Sequence, residues 1–137
     1  MEHLNAGRVL MADSLGFHII FALLGVGLPL CMLFVEWLAI RRKSNPMRES
    51  ARLWSYVVSV LVIGGVLSGS VVALQMFLIW PGILQFGGHA IGFAFMLEGY
   101  MFIIEAVFLA LYVKTWKSIQ GYKHLLLGVP VLLGATG

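Results

Sequence analysis

The chain has 137 residues, 61% of them hydrophobic and 11% charged, with a mean hydropathy of +0.97. A water-soluble domain of this size has no use for so much apolar surface, and a transmembrane barrel would alternate polar and apolar residues. The composition therefore points to an integral membrane protein built from helices. The net charge of +3 is no nucleic-acid footprint: eight of the nine basic residues fall in two short segments, where they report orientation.

Residues 1–13 are mixed, with Glu2, Arg8 and Asp13. They are expected to lie along the membrane surface or to lead into the first span, with Asp13 and Ser14 as candidate N-caps. No basic segment runs directly into an apolar one, so no cleaved signal peptide is expected. The first span is read over about 14–40, since no Asp, Glu, Lys or Arg occurs between Asp13 and Glu36. It contains Pro29, the small residues Ala22, Gly25 and Gly27, the single cysteine Cys31, and His18 about one turn from its start. Residues 41–52 form a basic loop with Arg41, Arg42, Lys43, Arg48 and Arg52 against Glu49, turning at Asn45-Pro46.

The second span is read over about 53–79, with small residues at Gly64-Gly65, Ser68-Gly69-Ser70 and Ala73, and with Trp80-Pro81 as its stop. Residues 81–90 read as an uncharged glycine-rich loop carrying His89. A third span follows over about 91–113. Lys114, Lys117 and Lys123 mark the next loop, where His124 is expected to be interfacial, and an incomplete apolar run fills 125–137. All of this makes one all-α transmembrane domain over 1–137, a multi-pass bundle in the cell (inner) membrane. Because both basic segments must face the cytoplasm, the N-terminus and the Trp80–Ala90 connection are expected outside.

The third span holds the least expected residues, Glu98 and Glu105. An acidic side chain at the centre of a membrane helix costs about 2.5–3.5 kcal/mol on insertion scales. Seven residues apart, the two fall on nearly one helix face, about 10 Å apart in depth. Intramembrane acids mark ion or proton paths, and low-dielectric surroundings disfavour the charged carboxylate, so a stacked pair suits a two-step proton relay. The competing reading is a neutralised pair that specifies packing. In the orientation above, His18 and Glu98 lie at similar depth in the outer half. A histidine there can ligate haem iron, bind another metal, shuttle protons, or simply hydrogen-bond a neighbour. Phe17, Phe21 and Gly25 beside it suit a porphyrin or ordinary helix packing equally. Arg8, the one basic residue on the outer side, can hold an acidic group by a bidentate contact or stand solvated among headgroups.

Taken together these residues resemble the N-terminal portion of the large subunit (subunit I) of cytochrome bd-type quinol oxidases. The resemblance rests on Arg8 followed by Phe17-His18, on Glu36 at the end of the first span, and on Gly65-Val66, Gly69, Gln75 and Trp80 through the second. Gly92, Glu98-Gly99 and Trp116 continue it. It implies His18 as axial ligand to one of two high-spin haems, b595 or d, with Glu98 beside them, Glu105 on the proton route, and Arg8 near the haems on the outer side. It implies oxidation of quinol on the outer side and reduction of oxygen to water with protons drawn from the cytoplasm, which builds a gradient without a pump. The implied partners are the remainder of subunit I or a chain completing the bundle, a second oxidase subunit, quinol and oxygen, with haem b558 held outside these residues. Two features depart from the pattern: the family's paired glutamates are usually eight apart, and its mid-membrane glutamate in the second span is Ala73 here. The alternatives to an oxidase are a haem-free proton- or ion-conducting module and a structural subunit of a membrane complex.

Overall fold

The apolar runs become helices that reach well past the segments hydropathy marks out. The computed structural model describes residues 2–136. It comprises α1 (Glu2–Arg42), α2 (Asn45–Leu78), α3 (Pro81–Lys114) and α4 (Tyr122–Thr136). α1, α2 and α3 are each long and apolar enough to cross a membrane. At 41 residues α1 is about 60 Å long, twice the hydrocarbon thickness of about 30 Å, so its ends project beyond the apolar layer. α4, with 15 residues, is shorter than the roughly 20 a full crossing needs.

Three local expectations are corrected by this geometry. Residues 2–13 lead into the first span as part of α1, the second of the two arrangements expected, while Asp13 and Ser14 lie inside the helix, not at its cap. Most of the supposed basic loop is helical, leaving only Lys43 and Ser44 to turn the chain. The glycine-rich stretch 81–90 is not a loop either. Pro81 starts α3, where a proline's missing N–H costs nothing, and the only break is a non-helical backbone at Gly88.

The turn at Lys43 has a definite construction. Ser44 N–H donates to Ala39 O at 3.1 Å and Lys43 N–H to Ile40 O at 3.4 Å, with Lys43 in the left-handed region at φ 50°. This is the paired-bond helix stop that usually takes glycine. Ser44 is extended, and Pro46 stands in the first turn of α2. Between α3 and α4, Thr115 caps back onto Leu111 through its backbone N–H and its hydroxyl. Gly121, at φ 71°, supplies the left-handed residue from which α4 starts.

The four helices form a ring, with α1 against α2 and α4, and α3 against α2 and α4. The core is confined to the half carrying the basic turns, where Met32, Leu33, Val58, Val62, Leu109, Tyr112, Trp116 and Val131 are buried together. In the other half, Phe17, Leu23, Leu74, Phe93 and Tyr100 are exposed. Such exposure of large apolar groups suits lipid or further protein, not water. Glycines set the closest approaches. Gly64 lies under the ring of Phe21, Gly128 under Leu33 and Tyr112, and Gly134 against Glu105 and the carbonyl of Met101.

Candidate functional site

His18 faces α2. Its Nδ1 lies 2.9 Å from the Ser68 hydroxyl, and that hydroxyl donates to the Gly65 carbonyl at 3.1 Å. A hydroxyl has one proton. Given to Gly65, it leaves Ser68 to accept from Nδ1–H with the lone pair on Nε2; given to Nδ1, it leaves the ring hydrogen on Nε2. Among the described residues nothing hydrogen-bonds to that Nε2. The ring rests on Gly69, where an added methyl would stand 3.0 Å from Cε1. Phe21, one turn on, rests in the same way on Gly64, its ring centroid 5.0 Å from that of Phe17. A histidine held through Nδ1 with Nε2 available is the arrangement of a metal-ligating imidazole.

No group of three or more His, Cys, Asp or Glu capable of caging a bare ion occurs among the described residues. A single imidazole on a flat, aromatic-and-glycine face fits the axial position of a macrocycle, whose own nitrogens complete the metal's coordination. Further along the α1–α2 seam, Gln75 donates to Ser14 at 2.7 Å, while Gln75 Oε1 and the indole N–H of Trp80 are buried without partners. Gly7 approaches Ile79 here, which places the exposed Arg8 at the same end of the seam. An orphaned indole donor and an arginine at one end of a histidine-bearing face fit the carboxylate groups at a porphyrin's edge.

The two glutamates of α3 stand in different surroundings. Glu105 is 6% exposed, covered by α4 through Gly134. Glu98 is exposed. Gly134 of α4 lies over Glu105. The structure brings neither carboxylate into hydrogen-bond contact with His18 or Arg8 among the described residues.

The sequence reading missed one cluster. His124, expected at the interface, is 2% exposed and lies against Glu36, Tyr112 and Trp116. Glu36 is itself 4% exposed. The argument that made Glu98 and Glu105 conspicuous, the cost of a carboxylate among apolar residues, applied equally to Glu36. Its place near a basic turn made it look like a helix end.

The family described as cytochrome bd terminal oxidase subunit I matches residues 6–137. The chain belongs to that family. It is similar to the putative cytochrome bd menaquinol oxidase subunit I of Bacillus subtilis (strain 168), 33% identical over 136 residues, which are 99% of this chain and 31% of that protein. The cytochrome bd ubiquinol oxidase subunit 1 of the same organism is 24% identical over 127 residues, 92% of this chain and 27% of the relative. The structure of bd oxidase from Geobacillus thermodenitrificans superposes with a TM-score of 0.89 at 36% identity, covering 95% of this chain and 30% of that one. The chain thus spans about a third of the length of the relatives it matches. As a subunit I sequence it is a multi-pass protein of the cell membrane, in agreement with its three spanning helices.

Proposed function

We propose that this stretch is the haem-binding membrane part of a bd-type terminal oxidase, which oxidises quinol, reduces oxygen to water and generates a proton gradient without pumping. The observation that carries the reading is the seat of His18: Ser68 holds its Nδ1, the ring lies on Gly69 beside Phe17 and Phe21, and among the described residues nothing bonds its Nε2. Membership of the subunit I family and the names of the two relatives, menaquinol and ubiquinol oxidase subunits, support the class of reaction.

In this reading His18 would hold the iron of a high-spin haem, b595 or d, and Arg8 and the Trp80 indole N–H would bind its carboxylate groups. When bound, the haem supplies the redox chemistry that passes electrons to oxygen. The chain's own residues position, exclude water and deliver protons. Glu98 is the proton donor for oxygen reduction, and Glu105, packed under α4, relays protons to it from the cytoplasmic side. The seven-residue spacing places them two turns apart along one face. Haem b558, the quinol site and a second oxidase subunit belong to the rest of the assembly.

The test is an optical spectrum of the purified complex. His18→Ala removes one high-spin component of the Soret band. Glu98→Gln keeps that band and lowers oxygen uptake about 100-fold or more, as loss of a general acid does. An active complex with no Soret band rules the reading out.

A further inference from the structure

At the basic end of the bundle three helices converge on one carboxylate. Tyr112 of α3 donates its hydroxyl to Glu36 Oε2 at 2.6 Å, and His124 of α4 places Nδ1 2.5 Å from Glu36 Oε1. The other ring nitrogen of His124, Nε2, lies 2.9 Å from the carbonyl oxygen of Tyr112. A carbonyl only accepts, so Nε2 carries hydrogen. At 2.5 Å, Nδ1 and Oε1 cannot face each other as two lone pairs, so one proton lies between them. It is an imidazolium with a carboxylate, or an imidazole with a carboxylic acid. Either way the cluster has the same proton count and no net charge, which is how a carboxylate this deeply buried is tolerated.

The surroundings close it off. Trp116 packs edge-on against the His124 ring at 4.7 Å. Arg48 of α2 stands 5.7 Å over Trp116 and donates to its carbonyl at 3.0 Å. The hydrogen-bonding capacity of Glu36, His124 and the Tyr112 hydroxyl is used within the cluster. Its position along α4 is what gives it consequence. His124 is in the first turn of α4, and ten residues on, Gly134 sits so close to α3 that a methyl there would be 2.7 Å from both Glu105 Cβ and Met101 O. Among the described residues no charged or titratable side chain of α1, α2 or α4 is bonded to Glu105, so the backbone of α4 supplies its roof. A slip of α4 by one residue moves it about 1.5 Å and turns it about 100°, which removes the glycine from that contact.

We propose that Glu36, Tyr112 and His124 are positioning residues: sharing one proton, they pin the register of α4 on α3 and so, through Gly134, set the surroundings of Glu105. The proposal rests on the reading of Glu105 as a proton relay. It distinguishes register from proton transfer, because Glu36→Gln keeps every hydrogen bond: the amide oxygen accepts from Tyr112 and the amide N–H donates to an unprotonated Nδ1.

The experiment uses the complete oxidase, with two readouts. One is the carboxyl C=O stretching band of Glu105 in pH-difference infrared spectra, assigned by its loss in Glu105→Gln. The other is the pH profile of oxygen uptake per haem. His124→Ala and Gly134→Ala are expected to move the band and to displace the profile in a common direction by about half a pH unit or more, and Glu36→Gln to leave both as they are. If His124→Ala does not assemble, Tyr112→Phe, which removes one bond of the cluster, takes its place with a smaller displacement of the same sign. The proposal is overturned if both clamp variants keep the native band and profile, since the cluster then serves only assembly. It is equally overturned if Glu36→Gln abolishes turnover with the Glu105 band unmoved, since the cluster then carries the proton itself. A complex lacking a Soret band defeats the oxidase reading alone, and the infrared band still decides the positioning role.

Discussion

A single serine decides what His18 can do. Ser68 is the one side-chain partner of the His18 ring among the described residues, and a partner on one ring nitrogen orients an imidazole for ligation through the other. Ser68→Ala therefore leaves the ring on Gly69 without that anchor. We expect metal affinity at this position to fall by about 10–100-fold, the usual effect of losing such a partner, measured as haem retained per subunit after detergent washing. Ser68→Thr, which keeps the hydroxyl, is expected to retain it. His18, Glu98, Glu105 and Arg8 were legible in the sequence because each is a polar group stranded in, or beside, apolar surroundings. Their partners were not. Ser68 is fifty positions from His18, and His124 is eighty-eight from Glu36. Nothing local in either stretch signals the pairing, which exists only because α1 packs on α2 and α4.

The helices themselves were the most legible part, since a run of apolar residues long enough to cross a bilayer has few other conformations. Their extents were not legible, because hydropathy reports where lipid is, not where backbone hydrogen bonds stop. Residues 2–13, Asn45–Arg52 and 81–90 are polar or glycine-rich and helical all the same. The stop after α1 illustrates the difference. It is made by Lys43 in a left-handed conformation, which costs a residue with a side chain roughly 1–2 kcal/mol. Glycine has no such cost. Lys43→Gly is expected to raise the unfolding free energy by about 1 kcal/mol, read as a later midpoint in thermal or denaturant unfolding of the assembled complex, with haem spectra unchanged. A fall in stability would mean that the lysine side chain contributes more than its backbone loses.

For the whole molecule, the expected orientation rests on charge. Lys43, Arg48, Arg52 and Lys117 gather at the end that also holds the core, and the Trp80–Pro81 end has Arg8 alone. In intact cells a cysteine at Ser44 is expected to react only with a membrane-permeant reagent, and one at Gly82 with an impermeant reagent as well. The reverse pattern would place proton uptake on the wrong side for the proposed reaction. Among the described residues the packed core lies at the basic end, and large apolar side chains are exposed at the other.

The two-residue turn at Lys43–Ser44 also bears on how the protein is made. It joins two consecutive helices, and the bonds from Ser14 to Gln75 and from His18 to Ser68 need nothing from α3 or α4. These contacts are within reach once Leu78 has left the ribosome, whereas the Glu36 carboxylate stays unpaired until Tyr112 and His124 have been synthesised.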